Sequence, residues 1–203
     1  MNQQEQFWHS EYAQEYMDRN NAFDLDLGIK AWATMLKNVE KIDSLLECGC
    51  NIGRNINFLN NLMPGVKKSI IELSPEPYKF VTSRNKFEHA FNGTILDADL
   101  PPNSFDLVYT TGVLIHVAPE NLLSNMKKIY NLSKRYILFG EIFSRVPGFI
   151  EYKGKNNLLF KRDFGKFFLE NFDCRIVDYG FLWGQIYDDA GFDDCNYWVF
   201  EKK

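Results

Sequence analysis

The spacing of apolar residues changes period partway along the chain. Residues 3–20 place Phe7, Trp8, Tyr12 and Tyr16 at helical intervals, and residues 25–39 do the same with Leu25, Leu27, Ile29, Trp32, Met35, Leu36 and Val39. Short apolar runs then alternate with helical patterns. Ser44–Cys48 predicts a first strand, 52–62 a helix stopped by Pro64-Gly65, and Lys67–Leu73 a second strand. Ser74 suits an N-cap and Pro75 the first turn of a helix reaching Asn85. A third strand is expected to end near Leu96–Asp97, a fourth to cover Ser104–Thr111 and a fifth Arg135–Ile142, with a helix around 119–133. The remainder predicts a short helix over 163–171 and strands over 174–182 and 197–201, while 149–160 reads as a long loop.

Strands that alternate with helices imply a mostly parallel sheet covered on both faces, a three-layer α/β sandwich. The last two strands have no helix between them. That predicts a seven-stranded sheet with an antiparallel last strand.

Composition narrows the setting. The 203 residues suit one domain. Formal net charge is -4, from 23 basic and 27 acidic residues, without a long basic run, which argues against a nucleic-acid partner. No apolar stretch approaches the roughly 18 residues of a membrane span, and MNQQEQFWHSEY lacks the pattern of an export signal. The expectation is a cytoplasmic protein with reduced cysteines and no membrane insertion. Cys48 and Cys50 read as small packing residues. The three histidines, at 9, 89 and 116, stand apart from any cysteine, so no metal site is expected.

The segment LLECGCNIGRN joins the first strand to the helix that follows. Gly49 ends the strand and Gly53 opens the helix. Glycines there permit unusual φ and close approach of a ligand, and a helix start offers free N–H groups. The pattern is a nucleotide cradle. It is neither GxGxxG nor a loop ending in GK[ST], so a nicotinamide dehydrogenase and an ATPase are both disfavoured. Glu72 ends the second strand, placed to accept hydrogen bonds from ribose hydroxyls, which fits a nucleoside without a pyrophosphate.

With these residues in place the chain, from about Leu45 onward, resembles the class I S-adenosylmethionine-dependent methyltransferases. LLECGCNIGRN is similar to their first motif, ExGxGxG, with Asn51 where the middle glycine usually stands. IELSPE (71–76) resembles the second, and DADLPPNSFDLVYTTGVLIHV (97–117) the third and fourth. A narrower resemblance rests on EQFWHSEYAQEYMDRN, ECGCNIGRN and DDCNYWVFEKK, which look like the bacterial methylases associated with pseudaminic acid biosynthesis. The resemblance implies a Rossmann-like core over 41–203 under an N-terminal helical cover over 1–40, within one domain spanning 1–203. The implied cofactor is S-adenosylmethionine, with S-adenosylhomocysteine as product.

The implied activity is methyl transfer to an oxygen or nitrogen of a small-molecule or glycan-precursor substrate, a sugar or sugar nucleotide of nonulosonic-acid or surface-glycan synthesis. Two alternatives stay open: a methyltransferase of an unrelated metabolite or protein side chain, and a noncatalytic cofactor-binding protein, which the Asn51 departure invites.

The resemblance also assigns residues. Gly49, Asn51 and Gly53 form the loop, and Glu47 either meets the cofactor's ammonium or anchors the loop. Glu72 takes the ribose, with Leu73 and Ser74 beside it. Asp97 and Ala98 face the adenine, with Asp99 as a rival. Thr110, Thr111 and Gly112 lie under the methionine part. Tyr12, Tyr16, Arg19 and Asn20 form either a lid, where the arginine suits a carboxylate, or an amphipathic helix packed over the sheet edge. His116 is the candidate general base, against a packed structural role; Glu141 and Asp188 are further candidates. Tyr152, Lys153 and Lys155, with Tyr187, Asp188 and Asp189, are rim residues that can shape the acceptor pocket.

Overall fold

The computed structural model describes residues 1–10 and 12–203. Helices α1 (Gln3–Trp8), α2 (Tyr12–Arg19) and α3 (Leu25–Met35) lead into β1 (Ser44–Cys48), α4 (Arg54–Leu62), β2 (Lys67–Glu72), α5 (Pro75–Arg84) and β3 (Ala90–Asn92). Then come β4 (Phe105–Thr111), 3-10 turns at Leu114–His116 and Pro119–Asn121, α6 (Leu122–Leu132) and β5 (Ser133–Glu141). A hairpin of β6 (Gly148–Tyr152) and β7 (Lys155–Lys161) precedes α7 (Phe164–Asn171) and β8 (Cys174–Leu182). The chain closes with α8 (Gly184–Tyr187), a 3-10 turn at Asp188–Ala190 and β9 (Cys195–Lys202).

Seven strands form one sheet in the order β3-β2-β1-β4-β5-β9-β8. β1, β2, β3, β4 and β5 are parallel, and β9 runs antiparallel to both its neighbours. This is the expected α/β architecture. The central strands are buried along most of their length because both faces are covered. Alternate residues feed two cores. Leu45, Leu107 and Tyr109 pack with Trp32, Ile56 and Val81, on the side of α3, α4 and α5. Leu46, Val108 and Ile137 pack with Met126, Ile129 and Phe168, on the side of α6 and α7.

Three local expectations fail for identifiable reasons. The single helix over 3–20 is two helices. His9 caps the first, and the Ser10 hydroxyl donates back to the Phe7 carbonyl at 2.6 Å, so the chain turns there. The third strand lies at 90–92 and not near 97; Ile95 and Ala98 pack into the core from irregular backbone. The 149–160 loop is the β6–β7 hairpin, turned by Lys153 and Gly154 at φ +53° and +72°.

The order of strands reverses between β1 and β4. In sheets of this kind, that reversal opens a crevice at the carboxyl ends of the strands.

Candidate cofactor and acceptor cleft

A cleft sits over that crevice. Its floor is the loop after β1. Gly49 takes φ +80°, and a side chain there would run into Val113 at 2.6 Å. Asn51 also lies in the left-handed region, at φ +46°. Its side-chain oxygen accepts the Ile52 N–H at 2.8 Å, which steadies the turn locally. The departure from glycine at this position therefore keeps the loop. Gly53, at φ +76°, is the N-cap of α4 and packs against Val81 behind the loop.

Glu72 closes one side. It is only 5% exposed. One carboxylate oxygen accepts the Asn51 N–H at 2.7 Å and the other the Ser74 N–H at 2.8 Å. Burial raises its pKa, and the N–H groups of Ser74 and Asn51 oppose that rise. A carboxylate has about four acceptor sites, so two remain for a diol in the cleft.

Among the residues assigned from the sequence, Tyr16, Gly49, Asn51, Glu72, Leu73, Ser74, Thr111, Gly112 and His116 line the cleft. Gly112, at φ +64°, leaves open space where a Cβ would project, which makes room for a ligand at the end of β4. The others lie elsewhere. Arg19 donates to the Tyr12 hydroxyl at 3.0 Å, outside the cleft wall. Asp97 is exposed and accepts from the Thr94 hydroxyl at 2.7 Å, while Ala98 is core. Because β3 ends early, Gly93, Thr94 and Ile95 form the wall there.

Glu47 is fully buried beneath the floor. One of its oxygens accepts from Asn55 at 2.8 Å and the other has no partner, and burial pushes its pKa up to about 7. Thr110 lies behind Thr111 and donates to Glu141 at 2.9 Å. Glu141 also accepts the N–H groups of Val113, Leu114 and Ile115 at 3.1–3.2 Å, so it anchors the turn that carries His116. Burial pushes the Glu141 pKa up to about 7 against those four donors. Asp188 is exposed in its 3-10 turn, away from the cleft wall.

His116 stands between Trp8 at 4.8 Å and Tyr152 at 5.5 Å, ring centre to ring centre. Its Nδ1 lies 2.7 Å from the Leu158 carbonyl. A carbonyl only accepts, so Nδ1 carries the proton and Nε2 the lone pair. Burial of the ring pushes its pKa down to about 4.

The cover over the cleft comes from α1 and α2. Asn2, Gln4, Glu5 and Trp8 line it, none of which the sequence pointed to. The Ser74 hydroxyl donates to the Trp8 carbonyl at 2.6 Å, and the Gln4 amide donates to the Asn157 carbonyl at 2.8 Å. The Tyr12 and Tyr152 hydroxyls bond to each other, which joins α2 to the hairpin. Lys153 and Lys155 extend over the Tyr12 and Phe7 rings at 5.5 and 5.4 Å. Asn55 and Asn125 line the cleft too. Asn55 had a readable signal, a polar residue in helical phase with Leu59 and Leu62. Among the described residues, no cluster of three His, Cys, Asp or Glu is placed to hold a metal.

Residues 46–135, from β1 to the start of β5, match a family model described as a methyltransferase domain. A cleft with a buried carboxylate at its edge and no phosphate loop fits S-adenosylmethionine as a cofactor. No curated protein matches the chain. Solved structures share the fold at low identity. The 1,6-didemethyltoxoflavin-N1-methyltransferase of Burkholderia thailandensis, with S-adenosylhomocysteine bound, superimposes at a TM-score of 0.68 with 15% identity, over 89% of this chain and 80% of that one. An S-adenosylmethionine-dependent methyltransferase of Leishmania major gives 0.71 and 16%, over 98% and 81%. The N-methyltransferase NodS of Bradyrhizobium japonicum gives 0.64 and 16%, over 88% and 98%. No helix among the described residues is long and apolar enough to cross a membrane.

Proposed function

We propose that the protein methylates an oxygen or nitrogen of a small polar acceptor, a sugar or sugar nucleotide of nonulosonic-acid or surface-glycan synthesis. The observation that carries the methyl-transfer half is Glu72, a buried carboxylate tied to the glycine loop with acceptor sites left over. The acceptor half draws support from the sequence resemblance and from the cover. Trp8 and Tyr16 offer aromatic faces to C–H groups, and Gln4 and Asn125 offer amides to hydroxyls. A cleft roofed by two helices and a hairpin suits a small acceptor better than a protein side chain.

S-adenosylmethionine supplies an electrophilic methyl group on a positively charged sulfur. The chain's own task is to orient and to exclude water. Glu72 would hold the ribose hydroxyls, with the Gly49–Gly53 loop as the floor of that site. Gly112 and Thr111 support the amino-acid end. His116 takes the proton that the acceptor atom gives up, on Nε2. Its low pKa leaves that lone pair unprotonated at neutral pH and makes it a weak base, so its part is to accept a proton only as the acceptor atom gives it up.

The test is turnover. Purified protein with S-adenosylmethionine and a panel of nonulosonic-acid precursors and sugar nucleotides is expected to release S-adenosylhomocysteine with one acceptor, which gains a methyl group. Turnover only with non-sugar metabolites would overturn the acceptor class. Binding of the cofactor with no turnover on any extract fraction would leave the noncatalytic reading.

A further inference from the structure

At the cleft floor a buried polar chain ties Thr111 back to β1 and α3. Asn55 is its hub. It is 6% exposed, stands at the second position of α4, and reaches three other elements. Its Nδ2 donates to Glu47 of β1 at 2.8 Å and to Thr111 of β4 at 2.7 Å, and its Oδ1 accepts from Trp32 Nε1 of α3 at 3.2 Å.

The direction of the amide is set by its neighbours. The indole N–H of Trp32 is a donor only, so Oδ1 must face it. Nδ2 then faces Glu47 and Thr111, and both of its hydrogens are spent. The Thr111 hydroxyl accepts one of them. Among the described residues its own hydrogen has no acceptor, and Thr111 lines the cleft.

We propose that Asn55 is a positioning residue for the amino-acid end of the cofactor: it holds the Thr111 hydroxyl as a donor aimed at the carboxylate of the methionine moiety. This rests on the methyl-transfer reading. With Glu72 gripping the ribose at the end of β2, a nucleoside laid across the crevice brings its other end over β4, where Thr111 and Gly112 lie. Glu47 fixes Asn55 from below, so it acts on the ligand through the amide rather than by touching it.

The test compares two ligands by calorimetry. S-adenosylhomocysteine has the amino-acid end, and 5′-methylthioadenosine shares the adenine, ribose and sulfur without it. Asn55→Ala is expected to weaken S-adenosylhomocysteine about tenfold to a hundredfold, as for a lost hydrogen bond to a charged group, and to change 5′-methylthioadenosine by less than about threefold. Thr111→Val, which leaves Asn55 in place, is expected to give the same split, and the double variant no further loss. Equal weakening of both ligands, or no change in either, in the folded Thr111→Val variant overturns the inference. If the unaltered protein binds neither ligand, the cofactor reading itself fails, and the two failures are thereby separated.

Discussion

The carboxylate of Glu72 accepts the Asn51 N–H at 2.7 Å, so the end of β2 holds the loop that leaves β1. Asn51 occupies a left-handed turn that glycine adopts more freely, and its side chain compensates by accepting the Ile52 N–H. Asn51→Ala removes the compensation and keeps the strain. It is expected to lower stability by about 1–2 kcal/mol, whereas Asn51→Gly should cost less. Denaturant midpoints of the two variants check the ranking.

His116 supplies a pH signature. Its ordinary pKa is 6.5 and the fold lowers it to about 4. Between those values the unfolded chain binds a proton that the folded one does not. Its contribution to stability is therefore present above 6.5 and is lost as pH falls toward 4. His116→Gln should flatten that part of the stability profile, read from unfolding midpoints across the window. A rate profile that shows no titration near 6.5 in the unaltered enzyme is the matching kinetic expectation.

Glu47 has the opposite sign. Burial raises its pKa from 4.5 to about 7, so the folded protein keeps a proton that the unfolded chain has released. Its contribution is complete below 4.5 and is lost as pH rises through 7. Glu47→Gln, which cannot ionise, should gain on the unaltered protein by up to about 3 kcal/mol over that range. Glu141 titrates in the same window, so the difference between the two proteins, not the absolute curve, is the measurement.

The bond between the Tyr12 and Tyr152 hydroxyls joins α2 to the hairpin. Tyr12→Phe and Tyr152→Phe each remove it. Both should speed hydrogen exchange in residues 3–8 and 148–161, and the double variant should add little to either.

The sheet was legible because its central strands are covered on both faces. Leu45-Leu46 and Ile70-Ile71 mark the two strands as short apolar pairs in largely buried segments, and Gly49, Asn51 and Glu72 follow from where those segments stop. The edges were not. β3 is three residues with no buried side chain, so nothing in its pattern marks a strand. Asp97 and Ala98, which the resemblance set against the adenine, stand outside the cleft wall, and Thr94 and Ile95 line it on that side. The hairpin rides on the rim with only Leu158 and Leu159 buried, too few for a period to appear. Asn2, Gln4 and Glu5 reach the cleft only because α1 docks on Ser74 and Asn157, a tertiary relationship that local spacing does not encode.

The central claim is that the end of β2 grips the sugar of an adenosyl ligand. Calorimetric titration of S-adenosylhomocysteine into the unaltered protein and into Glu72→Ala tests it most directly. The account predicts saturable one-site binding that weakens about a hundredfold in the variant. Absence of binding to the unaltered protein, or equal affinity in both, would contradict it.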